Sequence, residues 1–206
     1  MKFSKFLEQE LPKPTAVVFG KFNPWTGPKG HGKLVEAARK AMGKDVEIYV
    51  VSPYRKDIFK ASDFRFIREQ REAIIAKGLG ISPKKVLEIE GTGRNPGGML
   101  FRLKNEKKIE RPVLVVGFDR QEQNSVLTVP FGNGPQEITV DDGTKRTQFE
   151  MVVADRTAEA TSATKVFDAL LRNDVKAFKQ MTGYKDDMFN YLQELMAENR
   201  ANGARY

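Results

Sequence analysis

The chain of 206 residues contains no cysteine, a single histidine and a single tryptophan. Without cysteine there is no disulfide scaffold, no thiol nucleophile and no thiolate-held metal or iron–sulfur cluster. With His31 as the one imidazole, a multi-histidine metal centre is excluded as well. Long hydrophobic runs are also missing. Apolar stretches such as 113–116 are a few residues long, against the ~18 that a spanning helix requires. Residues 1–10 are charged and amphipathic and lack the apolar core of a signal peptide. The expectation is therefore a cytoplasmic protein with no membrane partner. Internal repeats and low-complexity tracts are absent from the sequence.

What is present is an ordinary globular composition with a basic excess. Apolar residues make up 40% and charged residues 30%, enough for a packed core at this length. Lysine and arginine total 35 against 27 acidic residues, a net charge of +8. Such a balance favours an anionic partner: a nucleotide, a phosphorylated metabolite or a nucleic acid. Nucleic-acid binding rests on this charge alone.

The periodicities alternate between strand and helix. A short helix over 3–10 is cut off by Pro12 and Pro14. Residues 16–20 read as a buried first strand, followed by a long glycine- and proline-rich loop over 21–30. Helical spacing resumes over 31–42 and Gly43 stops it. A second strand over 46–51 leads to a helix from Ser62 or Asp63 to about Lys77, closed by Gly78 and Gly80. A third strand (85–89), a helix (97–107) and a fourth strand (113–116) follow. The short alternating runs 126–129 and 137–140, separated by Phe131-Gly132-Asn133-Gly134-Pro135, predict a β-hairpin insertion. A fifth main strand covers 149–154, and the segments 164–171, 175–182 and 185–199 are helical. The last of these is expected to pack on the sheet or on a second subunit. The fold class expected is α/β: a doubly wound parallel sheet of five strands with a β-hairpin insertion and C-terminal helices. The expected organisation is an N-terminal arm (1–15), an α/β domain (16–172) and a C-terminal helical extension (173–206). Ligands in such sheets bind beyond the carboxyl ends of the strands. That rule selects the loops after Phe19, Ser52, Glu90, Gly117 and Ala154.

The first of these loops is basic, glycine-rich and placed between a strand and a helix. Backbone N–H groups at the helix start attract phosphate, and Lys21, Lys29 and Lys33 add charge. One reading is a P-loop, because Gly27-Pro28-Lys29-Gly30-His31-Gly32-Lys33 fits G-x-x-x-x-G-K. Against it, Leu34 stands where a Mg²⁺-binding hydroxyl belongs. Gly27 also lies far from the strand end, and Pro28 removes an N–H from a loop that works through N–H groups.

The other reading takes the whole segment Phe19-Gly20-Lys21-Phe22-Asn23-Pro24, with Gly30-His31 opening a helix. Two later segments join it: Val115-Val116-Gly117-Phe118-Asp119-Arg120 after the fourth strand, and Thr161-Ser162-Ala163-Thr164-Lys165-Val166-Phe167 after the fifth. Together they resemble the nucleotidylyltransferase superfamily over about 16–171. The resemblance implies a Rossmann-like sheet and transfer of AMP or CMP from ATP or CTP to a small phosphorylated acceptor. Nicotinamide mononucleotide leads among acceptors, and pyrophosphate is released. It implies catalytic roles for His31, Lys21 and Lys29, and nucleotide contacts from Phe19, Gly20, Phe22, Asn23, Gly30, Asp119, Arg120, Ser162, Thr164 and Lys165. It also implies a Mg²⁺ ion held mainly by the nucleotide phosphates, with no dedicated metal residues in the protein.

The sequence departs from that pattern in three places. Pro28 stands two residues before Gly30, where the family has His or Thr. Ala163 replaces a serine. Phe167 stands where the family has a phosphate-binding arginine, leaving Arg172, Arg156 or Arg120 to substitute. Ser-x-Thr-Lys segments of this kind are similar to those of phage-encoded members. The alternative is then a degenerate, non-enzymatic form: a nucleotide-binding or structural subunit assembling in a virion, or a homo-oligomer. Each feature also has a plainer role. Ser162 and Thr164 can simply cap a helix, Asp119 can order a loop, and Trp25 can line the core. The basic run Tyr54-Arg55-Lys56 and the glycine-rich segment 91–98 are binding loops on one reading, and a solvated loop and a tight turn on the other.

Overall fold

The computed structural model describes residues 11–20, 22, 27–54, 66–90, 96–118, 121, 128–140, 143–155 and 163–203. Seven strands are described: β1 (Thr15–Phe19), β2 (Glu47–Tyr54), β3 (Val86–Glu90), β4 (Pro112–Gly117), β5 (Thr128–Pro130), β6 (Gln136–Thr139) and β7 (Lys145–Ala154). The α-helices are α1 (Lys33–Met42), α2 (Arg68–Leu79), α3 (Pro96–Glu106), α4 (Ala163–Leu171), α5 (Val175–Thr182) and α6 (Asp186–Ala201). A π-helical turn, Pro28–Gly32, runs directly into α1.

The strand order is β3-β2-β1-β4-β7-β5, with β6 paired to β7. All pairings are parallel except β6 with β7. The sheet grows from β1 through β2 to β3 on one side and through β4 to β7 on the other. Strand order therefore reverses between β1 and β4, which makes the architecture compatible with a Rossmann-like arrangement. Helices cover both faces. Leu34, Val35 and Ala38 of α1 join Ile75 and Ala76 of α2 over Ala16, Val18, Ile48, Val50, Val113 and Val115. Met99, Leu100 and Leu103 of α3 cover Val17, Val51, Leu114 and Val116 on the other face. The alternation Ala16/Val18 against Val17 is the two-residue period of a strand buried on both sides. Each fully buried Leu or Val contributes roughly 1.5–3 kcal/mol.

Four expectations change. Among the described residues the sheet has seven strands, because the two short runs expected as a separate insertion join the five main strands. The predicted hairpin of 126–129 with 137–140 does not form: β5 pairs parallel to β7 through Thr128, Val129 and Pro130, while β6 pairs antiparallel with the first half of β7. The cause is Glu150, 1% exposed in β7. Its Oε1 accepts from the amides of Gly132 (2.8 Å) and Gly134 (3.2 Å), so the glycine-rich turn wraps a buried carboxylate instead of closing a hairpin. Gly78 does not end α2, which continues to Leu79 with Gly80 as its left-handed cap. Finally, α6 does not pack on the sheet. Its Met188, Phe189, Leu192 and Met196 join α4, α5 and Ile74 of α2 in a separate cluster, a helical layer outside α2. The expected helix over 3–10 lies outside the described residues. No helix among the described residues is long and apolar enough to cross a membrane.

Candidate functional site

The parallel strands β1, β4 and β7 end on one rim of the sheet. In register, Val18 lies beside Val115, Val115 beside Val152, and Gly117 beside Ala154. The chain leaving β1 and the chain leaving β7 thus emerge on the same side, flanking β4. This is the rim where parallel sheets of this kind bind ligands.

At the β1 exit, the Gly20 amide still donates to Val51 O (3.2 Å), which extends the β1–β2 ladder by one residue. Phe22 then turns back into the core, 2% exposed. Its carbonyl accepts from Arg71 Nη2 at 3.0 Å. Arg71 sits on α2 and is 1% exposed, so a guanidinium is buried directly beneath the loop. Loss of such a buried charged donor would leave the Phe22 carbonyl without water to replace it.

The Phe22 ring lies against the imidazole of His31, with centroids 4.2 Å apart and planes inclined by 38°. His31 is buried, 8% exposed. It belongs to the π-helical turn, whose geometry comes from Gly27. The amides of Gly30 (3.0 Å) and Gly32 (3.2 Å) both donate to the Gly27 carbonyl. Those two N–H groups are spent inside the turn and Pro28 has none, which argues against a P-loop cradle built from this segment. π-helical turns recur at functional sites.

Gly27 has φ +63°, and a Cβ there would stand 2.7 Å from Tyr184 Cε2 and 2.8 Å from Thr182 O. Burial holds the Tyr184 phenol above its ordinary range, so it stays protonated. Lys29 reaches away from the rim: its ammonium donates to Gln180 O at 2.8 Å, at the carboxyl end of α5. That position suits a cation, because the last carbonyls of a helix are otherwise unpaired.

The predicted residues fall into three groups. Phe19, Gly20, Phe22, Gly30 and His31 come together at the β1 exit, while Lys29 lies on its outer side against α5. Thr164 and Lys165 occupy the first turn of α4 and are exposed. Lys21, Asn23, Asp119, Arg120 and Ser162 lie outside the described residues, as do Trp25, Arg55, Lys56 and Arg156. Phe167 is 1% exposed in the α4–α6 cluster. Arg71 and Tyr184 were not singled out by sequence reasoning. For Arg71 a signal existed: it shares one stripe of α2 with Ile74, Ile75 and Gly78, at spacings of three, four and seven.

No protein-family profile matches the chain. No curated protein matches it either. Among solved structures it is similar to a macrolide-efflux protein from Streptococcus pneumoniae, with 20% identity and a TM-score of 0.46. That likeness covers 84% of this chain but 56% of the other, so the chain spans little more than half the length of that protein. It is also similar to GNP-bound YlqF from T. maritima, with 12% identity and a TM-score of 0.31, over 93% of this chain and 72% of the other. Both scores are too low to carry a fold or a function across.

Proposed function

We propose that the chain is a Rossmann-like nucleotidylyltransferase. It would move AMP or CMP from ATP or CTP to a small phosphorylated acceptor, with nicotinamide mononucleotide the leading acceptor. One observation carries the reading. The turn holding His31 and the helix opening at Thr164 and Lys165 follow strands that end on the same rim, on either side of β4. A triphosphate lying across the end of β4 would meet both.

In this reaction an acceptor phosphate oxygen attacks the α-phosphorus, the bond to the β-phosphate oxygen breaks, and pyrophosphate leaves with the electron pair. The protein then works by alignment and by stabilising charge on the leaving group. His31, held by the Phe22 ring and the Gly27 turn, would donate to phosphate oxygens. Lys21 and Lys165 would neutralise charge, and Lys29 would add to the field from its place beside α5. Ser162 and Thr164 would present hydroxyls at the start of α4. A Mg²⁺ ion would take its ligands mainly from the nucleotide phosphates.

The test is pyrophosphate release from ATP or CTP with Mg²⁺ across a panel of phosphorylated acceptors. Turnover with one acceptor, reduced by about a hundredfold or more in His31→Ala, supports the reading.

A second reading is favoured by Phe167. A buried core side chain stands where the resemblance expects a phosphate-binding arginine. On this reading the site binds nucleotide without turnover, and the chain serves as a binding or structural subunit. Nucleotide binding by calorimetry with no pyrophosphate release from any acceptor would select it.

A further inference from the structure

We infer that Tyr184 is a positioning residue for the glycine-rich loop, a wedge from the C-terminal helices that sets where the turn bearing His31 stands.

The ring of Tyr184 is gripped on both edges by glycines. On one edge Cε2 and Cδ2 lie 2.7 and 2.9 Å from where a Gly27 Cβ would be. On the other, Cζ and Cε1 lie 2.8 and 3.0 Å from where a Gly78 Cβ would be, with the hydroxyl closer still. Side chains at either glycine would displace the ring, so both absences serve the same wedge. The ring therefore spans from α2 to the exit of the loop.

Tyr184 is itself fixed. It stacks on Phe178 with centroids 6.0 Å apart and planes 17° apart. The Thr182 hydroxyl donates to Phe178 O (2.8 Å) and accepts from the Tyr184 amide (3.1 Å), which locks the short α5–α6 connection. Thr182 and Phe178 are fully buried. Lys29 clasps the same connection from the loop side, with its Cγ 3.2 Å from the Cβ position of Gly183 and its ammonium on Gln180 O.

The consequence travels through one carbonyl. Gly27 O accepts from the amides on both sides of His31, those of Gly30 and Gly32. A shift of Gly27 therefore moves the turn and the imidazole with it. A displacement of about 1 Å at such a site costs on the order of a hundredfold in rate. The α5–α6 segment is thus the back wall of the loop rather than an appendage to it.

The ligand readout rests on the nucleotide-site reading above, but the decisive readout does not. Trp25, the single tryptophan, stands two residues before Gly27 in the sequence and reports on the loop. We would compare the full-length protein with Tyr184→Phe, Tyr184→Ala and Leu192→Ala well below their melting temperatures. Leu192 is 0% exposed in the same helical cluster, so its truncation lowers stability without touching the loop. Expected are a shifted tryptophan emission and altered iodide quenching in Tyr184→Ala, wild-type values in Tyr184→Phe, and wild-type values in the less stable Leu192→Ala. MgATP affinity should fall about tenfold or more in Tyr184→Ala alone. If Tyr184→Ala does not fold, Tyr184→Leu takes its place. The inference is overturned if the folded Tyr184 variant keeps wild-type emission and quenching, or if Leu192→Ala changes them equally. Should wild type bind no MgATP, the nucleotide reading falls while the tryptophan comparison still decides the role of Tyr184.

Discussion

Arg111 grips Glu150 through two hydrogen bonds, Nε to Oε2 at 2.6 Å and Nη2 to Oε1 at 2.9 Å. The pair sits at the rim opposite the candidate site, where Glu150 lies in register with Val113 at the start of β4. Burial alone would push the Glu150 carboxyl up. The Arg111 fork and the amides of Gly132 and Gly134 outweigh it and hold the carboxyl below its ordinary range. Arg111 in turn is raised, first by its hydrogen bond to Glu150, against burial that lowers it.

A folded carboxyl held below its unfolded value stabilises the protein fully above the unfolded pKa of about 4.3 and loses that contribution as pH falls through the lower, folded value. Arg111→Ala strands a buried carboxylate and should cost about 3 kcal/mol at neutral pH. The gap between wild type and variant should narrow as the pH drops below about 4, because the stranded carboxyl then protonates. Urea melts at pH 7 and in the acid range check this; a gap independent of pH would contradict it.

Gly78→Ala is predicted to destabilise, although alanine is the better helix former by about 1 kcal/mol. The new methyl would collide with the Tyr184 ring, with Cζ 2.8 Å away. Overpacking of this kind typically costs about 1–3 kcal/mol. Thermal melts decide the sign, and a raised melting temperature would show that the ring yields freely.

Phe167→Arg would introduce the arginine that the proposed nucleotidylyltransferase resemblance expects at this position, yet it should abolish folding rather than create activity. The side chain lies among Val166, Leu170 and Phe178, where an unpaired guanidinium costs several kcal/mol. Phe167→Leu should fold and lose about 1.5 kcal/mol or less. Circular dichroism and solubility of the arginine variant test the assignment; a folded, more active protein would refute it.

Ser52→Ala should leave stability unchanged or raise it by about 1 kcal/mol. Ser52 is 0% exposed on β2, and its hydroxyl finds no hydrogen-bond partner among the described residues. Removing an unsatisfied buried hydroxyl relieves a desolvation cost. A clear loss of stability in denaturant melts would mean that the hydroxyl has a partner, such as buried water.

The regular elements were legible because they are short-range. Two-residue alternation at Ala16–Val18 and helical spacing at Leu34, Val35 and Ala38 identify burial before any contact is known. The alternation of strands and helices, and with it a mixed α/β chain built on a parallel sheet, follows from the residues alone. Tertiary structure decided the rest, through contacts distant in the chain. Glu150 drew the turn 131–135 over itself, so strands that alternate as a hairpin should became separate partners of β7. Gly78 looked like a helix stop, but it is a gap kept for Tyr184. Arg71, unremarked in the sequence, is the buried donor to Phe22. Local sequence fixes backbone preference and which faces bury. Which polar group, glycine or ring meets which depends on packing between segments far apart in sequence, and no local pattern encodes that.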